Sequence, residues 1–425
     1  MNSLFFLGII LITPAHAYLD PGTGSMLVST TIALIATLIY SLKSFSFKIK
    51  SIISRLFGKK IARIENSDIV IYNEGKQYFT TFYPIIEELI KREIKFTYLY
   101  SEKDDPMIQK INTTDTHFID KGNKAFFYLN TLNARICIMT TPGLDVLQIK
   151  RSKGVNHYCH IAHSTGGCRY EVFGIDYYDS VLVPNIYDKS FIEELERKRN
   201  LPKKDIRIVG TPYLDYILGQ TYVSDIKEPN QTTILISPTW GTHGLLNMYG
   251  EKILDILLSQ ELYDVIVRPH PQSVAYESSM IRNLQDKFEN NKNLYWDYEN
   301  DGSISMSKAT IMISDFSGII LDYMFLYSKP VISLPGTIDL RGKDYVDKDK
   351  TLWQIDFYNT YTTVLDKKDI INLDQIISTV LQDNNKSHKN VYEKYNPYVG
   401  NSAVQVVNAI EEISYNIKLG GTNVI

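Results

Sequence analysis

The stretch Ala309-Thr-Ile-Met-Ile-Ser-Asp-Phe-Ser-Gly-Ile-Ile-Leu-Asp-Tyr-Met-Phe-Leu-Tyr-Ser-Lys-Pro-Val-Ile332 constrains the fold more than any other part of the chain. It reads as a buried strand, a tight polar turn, an amphipathic helix and a second buried strand. The turn Ser314-Asp-Phe-Ser-Gly318 sets small residues and unpaired backbone amides at the start of the helix. Such a terminus attracts negative charge, because the free N–H groups and the helix dipole act together.

The same alternation runs along most of the chain. Strands are expected at Ile69–Tyr72, Lys95–Tyr100, Ala134–Met139, His157–Ile161, Ser180–Val183 and Ile206–Val209. Helices are expected from Pro84 to Lys91, Ala125 to Leu132 and Asp188 to Lys198. A polar segment, 219–231, then separates a second series. Its strands are Thr233–Ser237 and Tyr263–Val267, followed by the stretch above, and its helices are Gly250–Leu258 and Ser278–Phe288. Alternating strands and helices predict parallel sheets covered on both faces, here as two Rossmann-like domains facing a cleft. The expected division is an anchoring segment 1–60, an N-terminal domain 61–218, a C-terminal domain 219–400, and a helix and tail 401–425. Residues 339–363 read either as a mobile loop over a site or as an ordered insertion, while Val404, Val407, Ile410 and Ile413 mark a helix able to pack back across the structure.

The first sixty residues are of different material. Leu4 to Ile12 is apolar and Ala15-His-Ala17 resembles a small-x-small cleavage site. Met26 to Leu42 is a second apolar run, followed by Lys43, Lys48, Lys50, Arg55, Lys59 and Lys60. The basic flank marks the cytoplasmic side. Either a cleaved signal precedes one anchor, or two helices form a hairpin; both leave the C-terminal part on the cytoplasmic side of the cell membrane. Over all 425 residues the net charge is only −3, which gives no electrostatic ground for nucleic acid binding. Three cysteines show neither zinc spacing nor a disulfide framework.

Three polar motifs fall after predicted strands, where ligands bind in open parallel sheets. Arg268-Pro-His-Pro271 holds an imidazole between two prolines, a context that argues against helix. Arg268 suits bidentate contact with phosphate, and His270 suits a proton donor to a departing phosphate. His160-Ile-Ala-His-Ser-Thr-Gly-Gly167 places His163 at a loop start, as a candidate general base. A zinc reading there needs a further ligand and has only His157 nearby, so no metal is expected. In the third motif Ser317 and Gly318 are the phosphate contacts. Asp322, one turn on, is placed to accept from a ribose hydroxyl, and Asp315 is either a contact or a helix cap. Pro238-Thr-Trp-Gly-Thr-His-Gly244 adds Thr239 as a phosphate contact. There is no Walker-type loop and no G-x-S-x-G elbow.

The ordered set His163, Gly210-Thr-Pro212 with Asp215, Ser237-Pro-Thr-Trp240, Arg268-Pro-His-Pro271, and Ser314-Asp-Phe-Ser-Gly318 with Asp322 and Lys329-Pro330 resembles the CDP-glycerol glycerophosphotransferases of teichoic-acid-type polymer synthesis. The resemblance implies a GT-B fold and a membrane-associated enzyme without cofactor. It implies transfer of glycerol phosphate from CDP-glycerol to a hydroxyl of a lipid-linked or glycan acceptor, releasing CMP. The family's two essential histidines fall on His163 and His270. Its phosphate-binding residues fall on Ser317 and Gly318, with Ser314 in the same loop. The chain departs from the pattern at Gly318, where the family often has serine, and after His163, where it commonly has glycine. A GT-B glycosyltransferase, a CDP-ribitol-dependent transferase, and an inactive membrane-tethered binding protein are the competing readings.

Overall fold

The computed structural model describes residues 67–111, 115–166, 173–220, 231–259, 261–299, 302–334, 352–383 and 394–421. The expected anchor at 1–60 and most of the polar segment 219–231 lie outside these residues. No helix among the described residues is long and apolar enough to cross a membrane.

Two wholly parallel sheets form the frame. The first holds β1 (Ser67–Asn73), β2 (Thr97–Tyr100), β3 (Asp115–Phe118), β4 (Asn133–Met139), β5 (Gly154–Ile161), β6 (Ser180–Val183) and β7 (Asp205–Ile208), in the order β3-β2-β1-β4-β5-β6-β7. The second holds β8 (Thr232–Ile236), β9 (Tyr263–Val267), β10 (Leu294–Trp296), β11 (Ile311–Ser314), β12 (Val331–Ser333) and β13 (Thr363–Val364), in the order β10-β9-β8-β11-β12-β13. Each sheet reverses direction of growth between two strands: β1 and β4 in the first, β8 and β11 in the second. That is where a crevice opens at the carboxyl ends. The central strands carry the unbroken apolar runs that two-sided burial requires, such as Ile-Met-Ile in β11 and Val-Ile-Val in β9.

Two helices correct the sequence expectation. The first begins at Phe79 and runs to Lys91, with Pro84 inside it. Proline there removes one helical hydrogen bond, but Phe82, Ile85, Ile86 and Leu89 are fully buried, and that burial holds the helix together. A six-residue helix, Pro271–Tyr276, follows His270 directly. Pro271 sits at its first position, where a missing N–H costs nothing, so the prolines here begin a helix. Residues 353–361 are ordered as a helix, Trp353–Tyr361, leading into β13.

The helix Ser402–Gly421 returns to the first sheet, where Val406, Val407, Ile410 and Ile413 join the core beside Ile69, Phe82 and Ile138. Its docking explains Gly210-Thr-Pro-Tyr-Leu-Asp215. Asp215 accepts from the amides of Gly400, Ser402 and Ala403 and from the Ser402 hydroxyl, at 2.5–3.2 Å. Gly210 has φ +77°, and a Cβ there would lie 2.5 Å from Ser402 Oγ. The Thr211 amide donates to that same oxygen at 3.0 Å. Gly210, Thr211 and Asp215 of this motif fasten a helix. Asp215→Ala is expected to lower the unfolding free energy by about 2 kcal/mol, from loss of a charged cap; a shift in urea midpoint checks it.

Candidate active site

Three loops leave the neighbouring ends of β9, β8 and β11, and side chains stitch them together. Ser314, fully buried, donates its hydroxyl to Ser237 O at 2.6 Å. Asp315 accepts from the Thr239 amide at 2.7 Å through one oxygen and from the Leu245 amide at 2.9 Å through the other. Leu245 opens the helix Leu245–Leu258, so Asp315 caps a helix other than the one it precedes. Burial pushes its carboxyl up, against the pull of the amides. Ser314 and Asp315, expected as ligand contacts, face into the protein and shape the loops.

Ser317 and Gly318 remain at the surface of the crevice, where Gly318 precedes the helix Ile319–Tyr327. A Cβ on Gly318 would meet nothing within 4 Å, so the space before the first turn is open. Tyr358 donates to Ser317 O at 2.9 Å and fixes the turn from behind.

Arg268 continues the sheet, its amide donating to Ile236 O at 2.9 Å. Its guanidinium pairs with Asp297 at 2.7 Å, and Ser305 donates to the same carboxylate oxygen at 2.5 Å. Burial works to raise Asp297, but Ser305, the Glu299 amide and Arg268 together bring it below the usual carboxylate range. A Cβ on Gly302 would lie 2.7 Å from Arg268 Nε, so a larger residue there would push the guanidinium from its place beside Asp297.

His270 Nδ1 accepts from the Gln272 amide at 3.1 Å. In the neutral ring the proton therefore sits on Nε2, leaving that edge as a donor. The ring stacks on Trp240 with centroids 6.5 Å apart. Burial lowers its pKa, opposed by Glu277. Glu277 also accepts from the Gly241 amide at 3.1 Å and the Asn247 side chain at 2.8 Å. The loop of Thr239 and Trp240 is thus held by Asp315 on one side and Glu277 on the other. Thr239 takes part through its backbone.

The first sheet contributes His163, two residues beyond β5. Its ring meets Tyr78 edge-on at 4.9 Å, and burial lowers its pKa. His160 differs: fully buried, it contacts Thr140 O at 3.1 Å and is pushed down to about 3 by burial. It is part of the core.

The decisive contact joins the halves. Thr165, two residues after His163, donates to Asp322 Oδ1 at 2.6 Å, and the Tyr213 hydroxyl donates to the same oxygen. Gln354 donates to Gly166 O at 2.5 Å from the other half. The His163 loop therefore rests on the helix that Ser317 and Gly318 begin. Burial pushes the Asp322 carboxyl up to about 7, with the Thr165 bond acting against it. Thr165, Tyr213, Asp297 and Gln354 were not legible from sequence, because each acts through a partner distant along the chain. Among the described residues no group of three His, Cys, Asp or Glu is arranged to hold a metal ion.

Residues 63–412 match the model of the family described as CDP-glycerol:poly(glycerophosphate) glycerophosphotransferase. No curated protein sequence matches the chain. Among solved structures, the wall teichoic acid polymerase TagF is similar with a TM-score of 0.52 at 18% identity, over 83% of this chain and 89% of that one. A UDP-GlcNAc 2-epimerase from Neisseria meningitidis, bound to UDP-GlcNAc, gives 0.53 at 16% identity, over 81% and 100%. At these identities the likeness is one of fold: two parallel-sheet α/β domains of the GT-B kind.

Asp322 carries a testable sign. Its folded pKa lies above the ordinary carboxylate value, so the unfolded chain loses this proton first as pH rises. The folded state is penalised increasingly between about pH 4 and the raised value of about 7. Asp322→Asn keeps an acceptor for Thr165 and Tyr213 without that penalty. Its melting temperature relative to wild type should therefore climb from pH 5 to pH 8, as read by thermal denaturation; a pH-independent difference would contradict the assignment.

Proposed function

The chain belongs to the CDP-glycerol:poly(glycerophosphate) glycerophosphotransferase family, and from that premise we propose that it moves glycerol phosphate from CDP-glycerol to a hydroxyl of a lipid-linked or glycan acceptor in teichoic-acid-type surface polymer synthesis. The observation that carries the reading is the Thr165–Asp322 bond, which seats the His163 loop against the anion-attracting helix of the other half. The apolar run Met26–Leu42 and its basic flank support a catalytic part held at the cytoplasmic face of the membrane.

In this reading the donor's pyrophosphate lies at the first turn of Ile319–Tyr327, against the Ser317 hydroxyl and the Gly318 amide. Arg268, aligned by Asp297, and His270 Nε2 face its charge. Helix amides, the Arg268 guanidinium and the neutral His270 donor offset the growing negative charge without a metal. A ribose hydroxyl donates to Asp322 Oδ2, while Thr165 and Tyr213 stay on Oδ1 and keep the His163 loop in place. His163, neutral because burial lowers its pKa, takes the proton of the acceptor hydroxyl. That oxygen bonds to the phosphorus bearing glycerol, and the bond from this phosphorus to the bridging oxygen breaks. CMP leaves with the electron pair, its oxygen receiving a hydrogen bond from His270.

Each of His163→Ala and His270→Ala should cut CMP release from CDP-glycerol by about a hundred- to ten-thousand-fold with the circular dichroism spectrum retained. Full activity in either would remove that residue from the mechanism. A base must be neutral to act, and burial lowers both imidazoles. The acid limb that the imidazoles set in kcat/KM should therefore fall below the ordinary histidine value of about 6.5.

Gly318→Ser offers a gain-of-contact test. The helical conformation (φ −60°, ψ −22°) and the open space accept a side chain. Stability should stay within about 0.5 kcal/mol. The added hydroxyl should tighten CDP-glycerol binding by roughly two- to tenfold, measured by calorimetric titration.

A further inference from the structure

The second sheet's strand ends are accounted for by the nucleotide-activated donor. The first sheet's are not. Among the described residues, eleven buried side-chain polar atoms have no hydrogen-bond partner, and four of them, Thr140 Oγ1, His163 Nδ1, Asn185 Nδ2 and Gln354 Oε1, lie at or against the strand ends of the first sheet. Thr140 and Asn185 are fully buried and Gln354 is 2% exposed. Unpaired buried polar atoms are costly, and most side chains avoid the state.

Their placement is not scattered. Thr140 follows β4, His163 follows β5 and Asn185 follows β6, and these strands are hydrogen-bonded neighbours. Adjacent strands stand about 4.8 Å apart, so the three residues form a short row on the ligand-binding edge. Asn185 accepts from the amides of Tyr187 and Asp188 through Oδ1 and so caps the helix Ile186–Arg199. That fixes its side-chain amide, with Nδ2 turned from the helix. Gln354 reaches the same edge from the other half. Its Nε2 is bonded to Gly166 O, in the His163 loop, and the adjacent Trp353 donates to Asp188 at 3.2 Å. Fixed in this way, Gln354 presents Oε1 as an acceptor.

These four groups are neutral, a hydroxyl, an amide donor, an amide acceptor and an imidazole, and the charged group beside them is the buried carboxylate of Asp188, which Trp353 holds. The set holds no lysine or arginine, which a phosphate would call for. Alternating donors and acceptors suit hydroxyl groups. We infer that Thr140, Asn185 and Gln354 form a subsite beside His163 for a neutral polyol, the hydroxyl-bearing end of the acceptor. The inference rests on the proposed transferase reading for the word acceptor, and on the buried polar atoms for the site. The subsite would choose acceptors by hydroxyl pattern, with the reacting hydroxyl left at His163.

Two variants test it in the full-length protein. Thr140→Val removes a hydroxyl with no partner in the protein, so the protein without ligand should be as stable as wild type or more so. Asn185→Ser keeps a cap and deletes the amide donor. The probe is glycerophosphoglycerol, a soluble phosphodiester with free hydroxyls, titrated by saturation-transfer NMR. CDP-glycerol is titrated separately by calorimetry. Thr140→Val should weaken the phosphodiester by about threefold or more, and Asn185→Ser by about tenfold, with CDP-glycerol affinity within about twofold of wild type. Unchanged phosphodiester binding in both variants overturns the subsite, as does equal loss of both ligands. If wild type binds the phosphodiester but not CDP-glycerol, the donor assignment fails while the subsite stands.

Discussion

The arrangement of the site depends on one carboxyl group. Asp322 lies one turn into the helix that follows the polar turn of the second sheet, yet its partners, Thr165 and Tyr213, belong to the first half. This contact sets where the His163 loop lies relative to the first helical turn. Behind it, Leu214 and Ile217 from the helix Pro212–Gly219 share a core with Ile320, Leu321 and Met324 from the helix Ile319–Tyr327. Apolar packing supplies the bulk attraction and the hydrogen bonds supply register, because only the latter are directional. Burial pushes the Asp322 carboxyl up to about 7, so below that pH the joint forms largely without a buried charge, and the cost of burying one grows as pH rises toward it.

Three aspartates show how environment divides one chemistry into several jobs. Asp215 gathers the amides that open the helix Ser402–Gly421 and ties the chain's end to the first sheet. Asp315 gathers amides from a neighbouring loop and so aligns two strand ends of the second sheet. Asp322 takes hydroxyls instead of amides. Amides of a chain turn are permanent partners. Thr165 and Tyr213 are side chains from the first half, so Asp322, of the three, is the one that joins the two halves.

The parallel frame was legible in the sequence because central strands are buried on both faces and read as unbroken apolar runs. Of the edge strands, β7 was expected as Ile206–Val209, but β3 and β10 were not. Asp115-Thr-His-Phe118 and Leu294-Tyr-Trp296 are half exposed and carry no such run. The helix after His270 was hidden by two prolines, whose effect depends on position: Pro271 disrupts a helix interior and starts a helix at its first residue. The strand-end positions of His163 and His270 and the turn at Ser317-Gly318 were legible because each is marked by consecutive residues just after an apolar run. Ser314 and Asp315 stand in that same turn, and only coordinates show that they point inward. Thr165, Tyr213 and Gln354 carried no signal, since their meaning lies in partners 109 to 188 residues away.

The two site histidines reach a similar condition by different means, and the difference bears on their roles. His270 has Nδ1 fixed by the Gln272 amide, so its tautomer is settled and Nε2 is committed to donating. His163 has no such lock on Nδ1 and is held by the Tyr78 ring instead. An imidazole with a fixed tautomer is suited to stabilising a charge that develops at one place. One free of that constraint can accept a proton and release it again, which a base must do once per turnover. Burial favours the neutral form of both. Under the proposed transferase reading, the same low-polarity surroundings strengthen the hydrogen bond from His270 to a departing phosphate and keep His163 ready to accept, so one physical cause serves both proposed roles.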